Sequence, residues 1–262
     1  MAAATDVSYR QVTLPTEHGG WSLTLEPALL GLIVAPSPAG AALAGAALVA
    51  FVLRTPLKLV FVDVRRGRRL RRTEMAMRVA IGLALVVAAL LVTAAFTGAA
   101  ALFWPLVGAL PLFAIEFAYD IRSKSRRLAP ELLGTIGIGS VVASIVLADG
   151  GAPALAYGLW VVVAARAVAA IPFVRLQLRR AKRQRADVGG SDTAQVLAVL
   201  VAIGGVVFAD TPIAAVGVVA GLAVFHGAAA RLPVPRVAII GAQQVVLGLT
   251  VILTTALAAI AP

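Results

Sequence analysis

Basic residues occupy every second gap between the apolar stretches of this chain and are nearly absent from the other gaps. The basic gaps hold six arginines between Asp63 and Glu74, four basic residues after Asp120, six from Arg175 to Arg185, and the pair Arg231 and Arg236. The intervening gaps, at 36–38, 97–98, 149–151 and 210–212, contain no Lys or Arg. Because arginine-rich loops stay on the cytoplasmic side of a bilayer, this alternation predicts a multi-pass membrane protein and its orientation.

Composition agrees with a membrane-spanning chain, since 61% of the residues are hydrophobic and 13% are charged. Apolar runs of about 18 residues or more, the length that a bilayer core requires, recur throughout. We predict an all-α, polytopic membrane helical bundle with about nine transmembrane helices, the N-terminus cytoplasmic and the C-terminus outside. The predicted spans are Leu14–Ala35, Pro38–Val62, Met75–Phe96, Ala99–Tyr119, Pro130–Leu147, Pro153–Val174, Thr193–Ala209, Pro212–Ala230 and Val237–Ile260. The bacterial plasma membrane is the expected location.

The two halves of the chain resemble each other faintly. Arg54 and Pro56 in the second span correspond approximately to Arg166 and Pro172 in the sixth. We therefore predict one transmembrane domain over residues 1–262, built from four-helix repeats at 14–119 and 130–230 and a ninth helix at 237–260.

The charge and residue inventory excludes several classes of protein. A net charge of +11 is compatible with nucleic-acid binding, but the charge lies in short loops beside membrane spans, where it sets topology and meets lipid headgroups. We expect membrane lipids and no nucleic acid as partners. The absence of cysteine excludes disulfides and thiolate chemistry. No His, Asp or Glu cluster has close metal-ligand spacing, so we expect no metal and no cofactor. The oligomeric state stays open.

Charged residues inside the apolar spans are the candidate functional groups, because they are costly in a membrane. Arg54 and Lys58 share one helix face, and Glu116 and Asp120 show the same four-residue spacing with opposite charge. In one interpretation these groups neutralise each other. In the other they line a pocket open to the cytoplasm. The anion-binding candidates are then Arg54, Lys58, Arg166 and Arg175, and the pocket-lining candidates are Glu17, His18, Glu26, Asp63, Glu116, Asp120, Lys124 and Glu131.

Three segments resemble the YwiC-like family of bacterial membrane proteins. They are Glu17-His18-Gly19-Gly20-Trp21 with Pro27 and Gly31, Arg54-Thr55-Pro56-Leu57-Lys58 with Asp63, and Ala165-Arg166 leading to Phe173-Val174-Arg175. The resemblance covers nearly the whole chain and implies a membrane protein without an assigned activity.

More distantly, the organisation resembles the UbiA prenyltransferase superfamily. That resemblance implies nine membrane helices, a pocket open to the cytoplasm and aspartates that hold magnesium and a prenyl diphosphate. Tyr119 to Lys124 falls where a Tyr-x-x-x-Lys type of element of that family would lie. The chain departs from the family at the aspartate positions, where it has Arg54 and Lys58. Magnesium requires oxygen ligands, so we expect the cations to bind the anionic group directly.

Three functions compete at this point. The first is a carrier or accessory protein that binds an anionic lipid, an isoprenoid phosphate or a small anionic metabolite without magnesium. The second is a UbiA-like enzyme acting on a prenyl or other lipid phosphate, with Glu116, Asp120 or His18 as catalytic candidates for proton transfer. The third is a non-catalytic membrane scaffold whose buried charges specify helix packing.

Overall fold

The computed structural model describes residues 12–13, 18–68, 70–122 and 127–261. These ranges contain nine α-helices of 17 to 29 residues and no β-strand. The helices are α1 His18–Val34, α2 Pro38–Arg65, α3 Arg71–Thr97, α4 Phe103–Ile121, α5 Leu128–Ala148, α6 Pro153–Ala181, α7 Gly189–Phe208, α8 Ile213–Ala229 and α9 Val237–Ile260, with a 3-10 turn at Ala100–Leu102 before α4.

Seven of these helices are long and apolar enough to cross a bilayer, all except α1 and α8. Those two contain 17 residues each, which at 1.5 Å per residue is about 25 Å, near the lower limit for a span. The predicted all-α, multi-pass membrane architecture is therefore confirmed for the described residues.

Several helices extend further into the arginine-rich segments than the sequence predicts. Helix α6 continues to Ala181 where the predicted span ends at Val174, and α3 begins at Arg71 where the predicted span begins at Met75. Arginine and lysine are good helix formers. The apolar run that defines a membrane span ends at these residues, whereas the backbone hydrogen bonding of the helix continues.

Consecutive helices are joined alternately at two ends of the bundle. We call the end with residues 66–68, 70, 122, 127, 182–188 and 230–236 the basic end, and the end with 35–37, 98–102, 149–152 and 209–212 the neutral end. Contacts between segments agree with this arrangement. Ala99 N donates to Ala148 O at the neutral end (2.9 Å), and Arg180 donates to Leu232 O at the basic end (3.1 Å).

Helices α5 and α6 form the centre of the bundle. Helix α5 packs against α1, α2, α4 and α6, and α6 also packs against α7, α8 and α9. Their contacts are made largely by small and β-branched residues, such as Ala143 and Val142 on α5 and Ala165 and Val162 on α6. Small residues allow helices to approach closely, which is how helices associate in a membrane.

Apolar side chains also cover the outside of the bundle. Near the neutral end, Phe96, Trp104, Phe208 and Ile213 are between 68% and 90% exposed. Exposed aromatic rings near helix ends are typical of the bilayer interface. This surface is suited to lipid.

Candidate functional site

Helices α2 and α4 bring four of the predicted charged residues together near the basic end. Arg54 lies between two acids: its Nη1 is 2.8 Å from Glu116 Oε1, and its Nε is 2.8 Å from Asp120 Oδ2. Lys58 Nζ is 3.3 Å from Asp120 Oδ1. Because each pair is separated by four residues, one turn of each helix presents both of its charges to the other helix. We call these four residues the α2–α4 cluster.

Burial is unequal within the α2–α4 cluster. The side chains of Asp120 and Glu116 are 1% and 12% exposed, whereas those of Arg54 and Lys58 are 32% and 33% exposed. The acids therefore form the floor of the cluster, and the cations retain about a third of their surface. Arg54, Lys58 and Glu116 each make further interactions besides these. Formal charges balance, with two cations facing two carboxylates.

A glycine on a third helix makes room for the cluster. A Cβ atom added at Gly134 of α5 would overlap the carboxyl group of Glu116. The absence of a side chain at Gly134 thus lets the acid lie between α4 and α5. The sequence does not single out Gly134, because glycine is frequent in membrane helices and one glycine among 24 carries no signal of its own.

Arg166 belongs to a second polar cluster, which involves other helices. Its Nη2 donates to the backbone oxygen of Gln244 (2.8 Å), and its Nη1 to Gln244 Oε1 (3.3 Å). Glu26 Oε1 lies 3.5 Å from Nη2. The side chains of Arg166 and Glu26 are 2% and 6% exposed, so this pair is much more deeply buried than Arg54 and Lys58.

The second cluster continues through His226. Gln244 Nε2 lies 3.1 Å from His226 Nε2, and His226 Nδ1 lies 3.2 Å from Gln195 Oε1. Gln195 Nε2 donates to Ala169 O (2.9 Å), so its Oε1 is left to accept from Nδ1. Both hydrogen bonds of the imidazole can form when His226 is neutral with its proton on Nδ1: Nδ1 donates to Gln195 Oε1, and Nε2 accepts from Gln244 Nε2. His226 is thus a hydrogen-bonded residue of the interior, stacked on Phe173 with centroids 4.1 Å apart.

We call this set of residues the five-helix network: Glu26 on α1, Arg166 on α6, Gln195 on α7, His226 on α8 and Gln244 on α9. The two glutamines were missed by sequence reasoning, which considered only charged groups and histidines. An amide in an apolar helix is nevertheless a usable signal, because its four hydrogen-bonding positions require partners inside the bundle.

The remaining predicted site residues have other partners near the basic end. Asp63, which is buried, accepts hydrogen bonds from Arg72 Nη2 and Thr73 Oγ1, both at 2.8 Å. Arg175 donates to Glu131 Oε2 at 2.7 Å. The structure thus brings Asp63 to the α2–α3 connection and Arg175 to α5. Glu17, Lys124 and the side chain of His18 lie outside the described residues.

Over the described ranges, no group of three or more His, Asp or Glu side chains is arranged to hold a metal ion. The oxygens of Asp120, both of which are within 3.3 Å of a cation, are directed to Arg54 and Lys58. A guanidinium and an ammonium group on one helix face are chemically suited to donate hydrogen bonds to an anion.

Comparison with known proteins places the chain in a family. The sequence model of the YwiC-like protein family matches residues 14–147, just over half of the chain. That range includes the whole α2–α4 cluster, Gly134 and Glu26, and it ends before Arg166. Among curated proteins and solved structures, none matches the chain significantly. The chain belongs to the YwiC-like family of proteins.

Proposed function

We propose that this protein binds an anionic lipid or a small anionic metabolite at Arg54 and Lys58, without magnesium, as a carrier or accessory protein of the bacterial plasma membrane. The observation that carries the proposal is the unequal burial in the α2–α4 cluster. Two cations on one face of α2 are a third exposed, and they rest on two acids that are nearly buried.

The acids hold the cations in place for an incoming anion. Asp120 contacts both Arg54 and Lys58, which fixes their spacing although like charges repel. A phosphate or carboxylate approaching from the exposed side then meets two donors that are already positioned. Such charge-assisted hydrogen bonds contribute about 1.5–3 kcal/mol each. A magnesium ion approaching from the same side would meet two positive charges, and this is why the proposal excludes it.

The proposed orientation places the α2–α4 cluster at the cytoplasmic face. Basic loops remain in the cytoplasm, so the basic end of the bundle faces it. The alternation of basic and neutral segments is continuous along the chain only when the two short helices, α1 and α8, also cross the membrane. Nine crossings put the N-terminus in the cytoplasm and the C-terminus outside.

The proposal includes a single domain with duplicated four-helix units and a UbiA-like arrangement. Arg54 on α2 and Arg166 on α6 each face a glutamate, and each glutamate carboxyl lies against a glycine on a third helix. These glycines are Gly134 beside Glu116 and Gly248 beside Glu26. The arginine and the glycine recur four helices apart, from α2 to α6 and from α5 to α9, which supports the duplication, whereas the two glutamates lie on α4 and α1, which are not equivalent helices. The proposal assigns anion contact primarily to Arg54 and Lys58, because Arg166 is almost completely buried and Arg175 is paired with Glu131.

A direct test measures binding of farnesyl phosphate to the protein in nanodiscs of neutral lipid, with and without EDTA. We expect binding that EDTA leaves unchanged and that Lys58→Ala weakens about 10- to 100-fold, corresponding to one lost charge-assisted contact. Lys182→Ala, at an exposed position of the basic end, is the matched control and should bind normally.

Two outcomes would contradict the proposal. Loss of binding in EDTA together with normal binding by Lys58→Ala would show metal-dependent recognition elsewhere. Equal weakening by Lys58→Ala and Lys182→Ala would show general attraction to the basic surface.

Release of inorganic phosphate during the titration would identify the enzymatic alternative, in which Glu116, Asp120 or His18 transfers a proton. A scaffold role predicts that farnesyl phosphate does not bind and that these variants change only the stability of the protein.

A further inference from the structure

Glu26 is a buried acid whose hydrogen bonding is incomplete. The residue lies in the middle of α1 and is 5% exposed. Its Oε1 atom is buried and accepts no hydrogen bond from the described residues. Its separation from Arg166 Nη2 is 3.5 Å, whereas the Arg54–Glu116 pair is closed to 2.8 Å. An ion pair that served packing alone would be expected to close, because a buried carboxylate without hydrogen bonds is costly.

The five-helix network explains why this ion pair stays open. Arg166 directs both terminal nitrogens to oxygens of Gln244. Gln244 is in turn linked to His226, and His226 is linked to Gln195 and stacked on Phe173. The guanidinium is therefore fixed by α9 independently of the acid. Its Nε atom is also buried, has no hydrogen-bond partner among the described residues and makes no second contact with Glu26.

The surroundings of Glu26 contain few other charges. Helix α1 packs against α2, α5, α6 and α9. Charged side chains of α2 and α5 have partners elsewhere: Arg54 and Lys58 contact α4, Asp63 contacts Arg72, and Glu131 contacts Arg175. Helix α9 contributes Gln244 and Gly248, and a Cβ at Gly248 would overlap the Glu26 carboxyl. Among the described side chains, Arg166 is thus the cation that faces Glu26, with neutral His226 behind Gln244.

We propose that Glu26 is a reversible proton-binding site in the membrane interior, with Arg166 as its fixed counter-charge. Desolvation and missing hydrogen bonds favour the neutral acid, while the nearby guanidinium favours the carboxylate. Hydronium donates a proton to the carboxylate and leaves water; the new O–H bond changes the charge of the carboxyl group from −1 to 0. Arg166 then remains held by the two Gln244 oxygens, so neither state requires the helices to move. This site is separate from the α2–α4 cluster and does not depend on the anion-binding proposal.

The test is a pH titration of the protein in nanodiscs, followed by infrared spectroscopy of the carboxylic-acid C=O stretch. We expect a band that grows reversibly on acidification, from a carboxyl group shielded from water. The band should be lost in Glu26→Gln and kept in Glu131→Gln, the matched control at a half-exposed glutamate. No shielded band at any pH in the folded protein, or a band that persists in Glu26→Gln, would overturn the proposal.

The thermal stability of Glu26→Gln is a second, independent test of the proposal. Glutamine has the shape and neutrality of a protonated glutamate, and the proposal holds that the fold is compatible with the neutral form of Glu26. We therefore expect Glu26→Gln to fold and to keep the wild-type Tm within a few degrees. A variant that fails to fold, or one with a greatly lowered Tm, would show that Arg166 requires the carboxylate permanently, and the site would then be a structural ion pair.

Discussion

At the scale of single residues, acids and a glycine determine where the two cations of the α2–α4 cluster lie. Glu116 occupies space that Gly134 leaves open, and Asp120 bridges Arg54 and Lys58 from below. Each cation contacts a nearly buried acid at 2.8–3.3 Å, so the position of each cation depends on its acid. The positions of the two cations are therefore a property of α4 and α5 as much as of α2.

The first prediction concerns Gly134→Ala. The added methyl group overlaps the Glu116 carboxyl and forces the acid away from Arg54. We expect the free energy of unfolding to fall by about 1–3 kcal/mol, the usual cost of overpacking, and binding of farnesyl phosphate to weaken. Gly217→Ala on α8 is the matched control, because a Cβ there meets no atom within 4 Å. The control should be neutral or stabilising, since alanine favours helix by about 1 kcal/mol. Equal unfolding curves for the two variants would contradict this account.

Some of these residues could be predicted from the sequence because their spacing places them on one helix face. Arg54 with Lys58 and Glu116 with Asp120 are recognisable, because like charges one turn apart in an apolar helix require a partner. Gly134, Gly248, Gln195 and Gln244 were not predicted. Their roles arise from contacts between helices distant in sequence, and a single sequence contains no pairing information of that kind.

At the scale of elements, the α2–α3 hairpin is closed at the basic end by one buried acid. Asp63 near the end of α2 receives two hydrogen bonds from Arg72 and one from Thr73 at the start of α3. Helix α3 packs mainly on α2, and most of its surface faces outwards. The Asp63 contacts therefore fix the start of an otherwise peripheral helix.

The second prediction concerns Asp63→Ala. Without the carboxylate, Arg72 and Thr73 lose their shared acceptor, and the first turns of α3 should open more often. Hydrogen–deuterium exchange followed by mass spectrometry should show faster exchange over residues 70–80 and unchanged exchange in α6. Glu74→Ala, which removes an exposed acid from the same turn, should leave exchange in that segment near the wild-type rate. If both variants exchanged alike, Asp63 would have no special role in this hairpin.

The helices themselves were predictable because their signal is strong and local. Apolar runs gave the number and order of the nine helices. The continuation of helices into the arginine-rich segments was not predicted: α6 continues through Arg175 and Arg180 to Ala181. Arg180 donates to backbone oxygens of Ala230 and Leu232, so this extension of α6 holds the α8–α9 connection. A hydropathy profile cannot show that a charged segment is helical.

At the scale of the whole molecule, the proposed nine-crossing topology depends on whether the two 17-residue helices, α1 and α8, also cross the membrane. The chain has no native cysteine, so single cysteines report topology without background. Asp210→Cys and Leu232→Cys flank α8 at exposed positions. A membrane-impermeant maleimide applied to intact cells should label Asp210→Cys and should reach Leu232→Cys only after permeabilisation. Labelling of both from the same side would show that α8 does not cross.

The central claim is that the exposed cations of the α2–α4 cluster hold an anionic ligand. Its most direct test is purification from native membranes followed by mass spectrometry of the molecules that remain bound, for wild type, Lys58→Ala and Lys182→Ala. We predict an anionic lipid or metabolite bound to wild type and to Lys182→Ala, and depleted about tenfold or more in a folded Lys58→Ala variant, as loss of one charge-assisted contact requires. An identical set of bound anions in all three proteins would contradict the claim.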